Sequence, residues 1–91
     1  MRSARLRITG RVHGVGYRVW AVQQAARLGL RGWVRNRADG SVEALVIGED
    51  DAVAAMIQSC REGPLAARVR DVIVNETEDD GSDGFHSLPT V

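Results

Sequence analysis

The residues best placed to do chemistry are "VHGVGYR" at positions 12–18. Two glycines one residue apart precede an arginine, with a strand-like run before them and a helix-like run after. A helix that opens here presents unpaired N–H groups and the positive end of its dipole, which together attract anions. Gly14 and Gly16 let the backbone turn its amides inward and leave room for an anion to approach the main chain. Arg18 falls in the first helical turn, where side chains tilt back toward the N-terminus, so its guanidinium leans over the same cradle. A fixed fork of donors with a permanent charge suits a tetrahedral phosphate. The loop lacks the Gly-Lys-Ser/Thr ending of a Walker loop, and "GRVHGVG" does not fit G-x-G-x-x-G. The same glycines would equally serve a tight strand-to-helix connection beside a solvated Arg18. Spacing alone leaves both readings open.

Asn36 is the second candidate. A helix of about ten residues carries the chain roughly 15–17 Å away from the loop. A strand from Arg31 to Asn36 brings it back by roughly 17–20 Å. In a right-handed β-α-β unit the two strands run parallel, so Asn36 returns to the sheet edge that carries the loop. Asparagine is unfavourable in strands, which asks for a reason here. It also suits a residue leading into the turn "RADG" (37–40), and sequence does not separate the two.

The elements that must position these groups are legible from periodicity. Residues 4–12, "ARLRITGRV", alternate, with Leu6, Ile8 and Val12 on one side and Arg5, Arg7 and Arg11 on the other, as in a half-exposed strand. Residues 17–28 place Ala21, Ala25 and Leu28 at helical spacing, and Gly29 stands where a C-terminal cap belongs. "RGWVRN" (31–36) and "SVEALVIG" (41–48) form a hairpin around "RADG". In "EDDAVAAMIQSCRE" (49–62) acids open a helix whose stripe is Val53, Met56, Ile57 and Cys60, stopped by Gly63-Pro64. "ARVRDVIVNE" (67–76) is a further strand whose apolar phase slips between Val69 and Val72, the mark of a bulge. "FHSLPTV" (85–91) has the composition of a short edge strand ended by Pro89, without a signal that decides whether 84–88 pairs. The order β-α-β-β-α-β predicts an α+β, ferredoxin-like two-layer sandwich. Its sheet is mainly antiparallel, with two helices on one face and water on the other.

Composition narrows the classes. Ninety-one residues form a single domain, 1–91, with one modest core. No apolar run approaches the ~20 residues of a membrane span, and "MRSARLRITG" is read as strand rather than leader. Cys60 has no disulfide or zinc partner, which favours a reducing, cytoplasmic setting. Every Lys/Arg-type cation is Arg, and the first forty residues are rich in them against the single acid Asp39. That half suits an anionic ligand, or simply a solvated strand face. "NETEDDGSD" (75–83) is acidic, and 76–84 is the one stretch whose composition suits disorder. No His, Cys, Asp or Glu cluster has ligand spacing, so neither metal nor other cofactor is expected. Asp50 and Asp51 read as helix-start acids, His86 as a surface residue and Trp33 as a packing residue.

These motifs resemble a known family. "GRVHGVGYR" (10–18), "LGLRGWVRNRADGSVEALVIG" (28–48) and "GPLAARVRDV" (63–72) together look like an acylphosphatase, over nearly the whole chain. The resemblance implies hydrolysis of carboxyl–phosphate anhydrides by in-line attack of water, without metal or covalent intermediate. It implies that Arg18 binds the phosphoryl group with the amides of His13, Gly14, Val15, Gly16 and Tyr17, and that Asn36 positions the water. The family usually has Gln where this chain has His13 and Phe where it has Tyr17. His13 is expected to lend its amide rather than act as a base. The expected partners are a small acyl phosphate and the inorganic phosphate released from it, as product and inhibitor, bound by a monomer. Nucleic acid and membrane are not expected: RNA modules of this topology stack bases on aromatics of the first and third strands, and here those strands have none. The alternative is a phosphate-binding module with little turnover, as in the acylphosphatase-like domains fused within hydrogenase maturation proteins.

Overall fold

The structure is a computed structural model covering residues 1–91. Seven elements follow in order: β1 (Arg2–Arg11), α1 (Tyr17–Arg27), β2 (Arg31–Asn36), β3 (Val42–Gly48), α2 (Asp50–Glu62), β4 (Arg68–Glu76) and β5 (Phe85–Ser87). They build a five-stranded sheet in the order β4-β1-β3-β2-β5. Every pairing is antiparallel except β2 with β5, which is parallel. The α+β ferredoxin-like sandwich expected from the sequence is therefore present, with the doubtful C-terminal strand added at the edge.

Both helices lie against one face, α1 over β2 and β5 and α2 over β4, β1 and β3. The core between the layers takes Leu6, Ile8, Val34, Val42, Ala44 and Val46 from the sheet, and Ala21, Ala25, Val53, Met56 and Cys60 from the helices. Cys60 is thus a core residue, as its stripe implies. Helix α1 ends in two bonds that pair otherwise orphaned carbonyls, Leu30 N–H to Ala25 O at 2.9 Å and Gly29 N–H to Ala26 O at 3.2 Å. The slip in the β4 pattern is a bulge. Ile8 faces Val72 and Thr9 faces Asp71, then Gly10 faces Val69, and Arg70 is left over. The extra residue returns Val69 to the core side.

Two expectations need correction. The sheet face opposite the helices is not left to water at its centre, because β3 is buried along its whole length. Leu45 and Ile47 lie there, cross-strand from Arg5 and Trp33 and from Ser3 and Arg31. Long arginine stems cover such a surface while their charged heads reach solvent or a partner. The segment 76–84 is not a loose tail either. Arg31 holds Asp79 and donates to Ser82 O at 2.7 Å, and Trp33 Nε1–H donates to Asp80 at 3.2 Å. Arg31 and Trp33 of β2 thus dock the acidic loop.

The basic first half is largely neutralised in the same way. Arg5, Arg35 and Arg37 converge on Glu43, Arg7 pairs with Asp39, and Arg2 with Glu76. Arg11, Arg18 and Arg27 have no carboxylate partner. No helix is long and apolar enough to cross a membrane.

Candidate active site

The loop between β1 and α1 ends at Gly16, whose φ of 78° lies in the left-handed region, as does the 68° of Gly14. No side chain caps the helix and its first turn has no acid, so its positive end is unneutralised. The first helical amide with a backbone acceptor is that of Trp20, bonded to Gly16 O at 3.0 Å. The amides of Tyr17, Arg18 and Val19 are the leftover donors of a helix start.

These groups line a cavity of about 310 Å³. Gly14, Gly16, Tyr17 and Arg18 form one side, with Val12 and Val19 as its apolar part. Asn36, from the end of β2, closes the other side together with Ser87 of β5. The helix and the returning strand have therefore brought Asn36 to the cradle, as the lengths of the two legs require. Asn36 lies on the helix-facing side of β2, in phase with Val34. Its Oδ1 is buried and has no hydrogen-bond partner in the chain. An unpaired buried acceptor costs about 1–3 kcal/mol, a deficit that a donor entering the cavity would remove.

Not every predicted residue lines this cavity. His13 and Val15 do not. The His13 ring turns away, and its Nε2–H donates to Ser41 O at 2.8 Å, in the turn between β2 and β3. The Tyr17 hydroxyl donates to Cys60 O at 2.7 Å, in the last turn of α2. Burial of Tyr17, then the adjacent Cys60, push its phenol pKa well above the usual range. Burial also raises the Cys60 thiol to about 11, so it stays protonated near neutral pH. The two departures from the usual family pattern thus do related work, since His13 and Tyr17 fasten the two ends of the loop to different parts of the fold. Ser87 escaped the sequence reading because its strand is only three residues long. Its one signal is the aromatic Phe85, which covers Gly32 where β5 pairs with β2.

No three His, Cys, Asp or Glu side chains gather in a ligand cluster. The cavity offers one guanidinium, a set of amides and one carboxamide, which suits a compact anion and a polar nucleophile beside it.

Comparison with known proteins agrees with this geometry. The sequence model of the acylphosphatase family matches residues 4–87. An acylphosphatase of Rhodospirillum rubrum is 50% identical over 91 residues, covering all of both chains. One of Rhizorhabdus wittichii is 52% identical over 89 residues, 98% of this chain and 90% of the relative. Among solved structures, the acylphosphatase of Bacillus subtilis superposes with a TM-score of 0.93 at 34% identity, covering 97% of this chain and 99% of that one. Full-length HypF in a phosphate- and nucleotide-bound form also matches, with a TM-score of 0.90 at 26% identity, but this chain spans only 12% of it. On the strength of the family match and of relatives half identical along nearly its full length, this chain belongs to the acylphosphatase family.

Proposed function

We propose that this enzyme hydrolyses acyl phosphates to a carboxylate and inorganic phosphate through a water held by Asn36, attacking in line a phosphoryl group held by Arg18 and the loop amides. The leaving carboxylate has a pKa near that of Glu, about 4, so it departs without a general acid. What remains is to grip the phosphoryl oxygens, offset their charge and orient one water. The amides of Gly14, Gly16, Tyr17 and Arg18 and the Arg18 guanidinium do the first two. The water oxygen bonds to phosphorus as the carboxylate leaves with the electron pair of the broken P–O bond, and both hydrogens of the water end on dihydrogen phosphate.

The observation that carries this reading is the buried, unpartnered Oδ1 of Asn36 beside the cavity that Arg18 lines. An acceptor there takes a hydrogen from water, while Nδ2–H is free to donate to a phosphoryl oxygen. A carboxylate in its place would repel the dianion. Metal plays no part in this scheme, since the guanidinium already supplies the positive charge.

We further assign the enzyme to a reducing, cytoplasmic setting, as a monomer that acts on small molecules rather than nucleic acid. A free, buried Cys60 supports the first. The exposed large apolar side chains support the second, being spread over α1, the 63–67 turn, β4 and both termini rather than gathered in one patch. The pairing of most open-face arginines with carboxylates supports the third.

Asn36→Ala tests the water assignment. Loss of one preorganised group of this kind costs roughly 10²–10³-fold in rate. The variant should lose that much kcat on an acyl phosphate and keep its Ki for inorganic phosphate within a few-fold of wild type. Equal turnover would reduce Asn36 to a turn residue. A joint fall in turnover and phosphate affinity would make it part of the cradle instead.

A further inference from the structure

We propose a second anion site, for a small molecule carrying two or more phosphate groups, on the open face of the sheet at the β1–β4 bulge. A cavity of about 740 Å³ lies there, against about 310 Å³ for the active site, and no hydrophobic residue lines it. Arg7, Arg11 and Arg70 reach it, together with Thr9 and the Asp39–Ser41 turn.

Two of its three cations are unlike the others on this face. Arg5, Arg35 and Arg37 are spent on Glu43, whereas Arg11 and Arg70 have neither a carboxylate nor any other side-chain partner. Arg11 also stands directly opposite Arg68 in the β1–β4 register, a like-charge pairing that destabilises a sheet. The bulge supplies Arg70 as the unpaired extra residue, next to Gly10, where an added Cβ would lie 2.3 Å from Arg68 O and 2.6 Å from Arg70 N. The strands are therefore drawn close at the point where their cations repel. Two carboxylates lie nearby, and both are engaged. Asp39 holds Arg7 and accepts from Ser41, and Asp71 accepts from the Val72 amide. Guanidiniums from two strands around a wide polar basin match several phosphate groups better than one. With no apolar wall, the basin has nothing to hold a nucleobase.

The test is a titration with tripolyphosphate, followed by ¹⁵N–¹H spectra of wild type and Arg18→Ala. Saturable shifts at the amides of Gly10, Gly40 and Arg70 should be kept in Arg18→Ala, whose active-site grip is removed. Arg11→Gln combined with Arg70→Gln should weaken this binding on the order of ten-fold, as expected for lost charged hydrogen bonds. Neither side chain has a partner in the fold, so the spectrum of the free variant should stay native. ATP without metal should bind within a few-fold of tripolyphosphate. Shifts confined to residues 14–19 and lost in Arg18→Ala would overturn the site, as would undiminished binding by the double variant. Much tighter binding of ATP would overturn its assignment to phosphates alone.

Discussion

At the residue scale, the proposed mechanism separates groups assigned to the phosphoryl moiety from groups that hold the loop. Arg18 belongs to the first kind. It lines the cavity and is not diverted into a salt bridge, so its planar fork is available to two phosphoryl oxygens. Arg18→Lys keeps the charge but replaces the fork by a point donor, and should be nearly as inactive as Arg18→Ala. Both variants should also lose competitive inhibition by phosphate. A lysine variant that retains most of the rate would refute the two-oxygen grip. His13 belongs to the second kind. Its Nε2–H reaches Ser41 O, not the cavity. A glutamine carboxamide can donate the same bond, so His13→Gln should keep kcat within several-fold. His13→Ala should lose more, by loosening the loop. Because the ring serves a carbonyl acceptor outside the cavity, His13→Gln should leave the shape of the pH–rate profile unchanged. An inflection that vanishes in His13→Gln would make the ring catalytic.

At the element scale, β2 carries Asn36 and its placement depends on close approach to β3. An added Cβ at Gly32 would lie 1.9 Å from Leu45 O, whereas at Gly40 it would meet nothing within 4 Å. Both residues have positive φ, 131° and 93°, so alanine at either incurs backbone strain. Gly40→Ala should therefore cost about 1–2 kcal/mol, the conformational term alone. Gly32→Ala must also push the strands apart, and should exceed ~3 kcal/mol, beyond most point substitutions. Urea unfolding of the two variants makes the comparison, and equal losses would mean that the β2–β3 contact yields easily. The ends of β2 were legible because Gly29 stops the preceding helix and the turn "RADG" follows Asn36. The bulge was legible because Val69 and Val72 cannot share a face without one. By contrast, residues 85–91 read as a possible edge strand, but that β5 pairs with β2 and brings Ser87 to the site was not legible. A three-residue strand has no period of its own, and its partner β2 lies some fifty residues back in the chain. The docking of 76–84 was hidden for the same reason. Its acids read as solvated until Arg31 and Trp33 are brought beside them. The positions of Arg18 and Asn36 were legible because each sits at the end of a regular element, and their meeting follows from two lengths that nearly cancel.

At the scale of the whole molecule, an evenly balanced charge is held in place by pairs whose acid side titrates. Side-chain and backbone hydrogen bonds from Ser41, then Arg7, lower the Asp39 carboxyl to about 2. At Glu43 burial opposes ionisation, but hydrogen bonds from Arg35 and Arg37 outweigh it and the pKa is lowered. Glu76 is lowered chiefly by Arg2, Asp79 by Arg31 and Asp80 by Ser82. Each of these groups binds its proton more weakly folded than unfolded, so the unfolded chain takes up protons first as pH falls. Their stabilisation is complete above the ordinary carboxylate range of about 4 and is lost below it, for Asp39 down to about 2. Protonation also strips the counter-charge from the paired arginines Arg2, Arg5, Arg7, Arg31, Arg35 and Arg37, which then repel one another. The melting temperature should therefore be nearly level from pH 7 to about pH 5 and fall steeply toward pH 2. Asp39→Asn, which removes one of the shifted groups, should melt lower at pH 7 and show a shallower acid fall. A melting temperature that holds from pH 5 to pH 2.5 would mean that these pairs add nothing to folding. An Asp39→Asn profile parallel to wild type would remove Asp39 from among them, and with it the part assigned to the turn that receives His13.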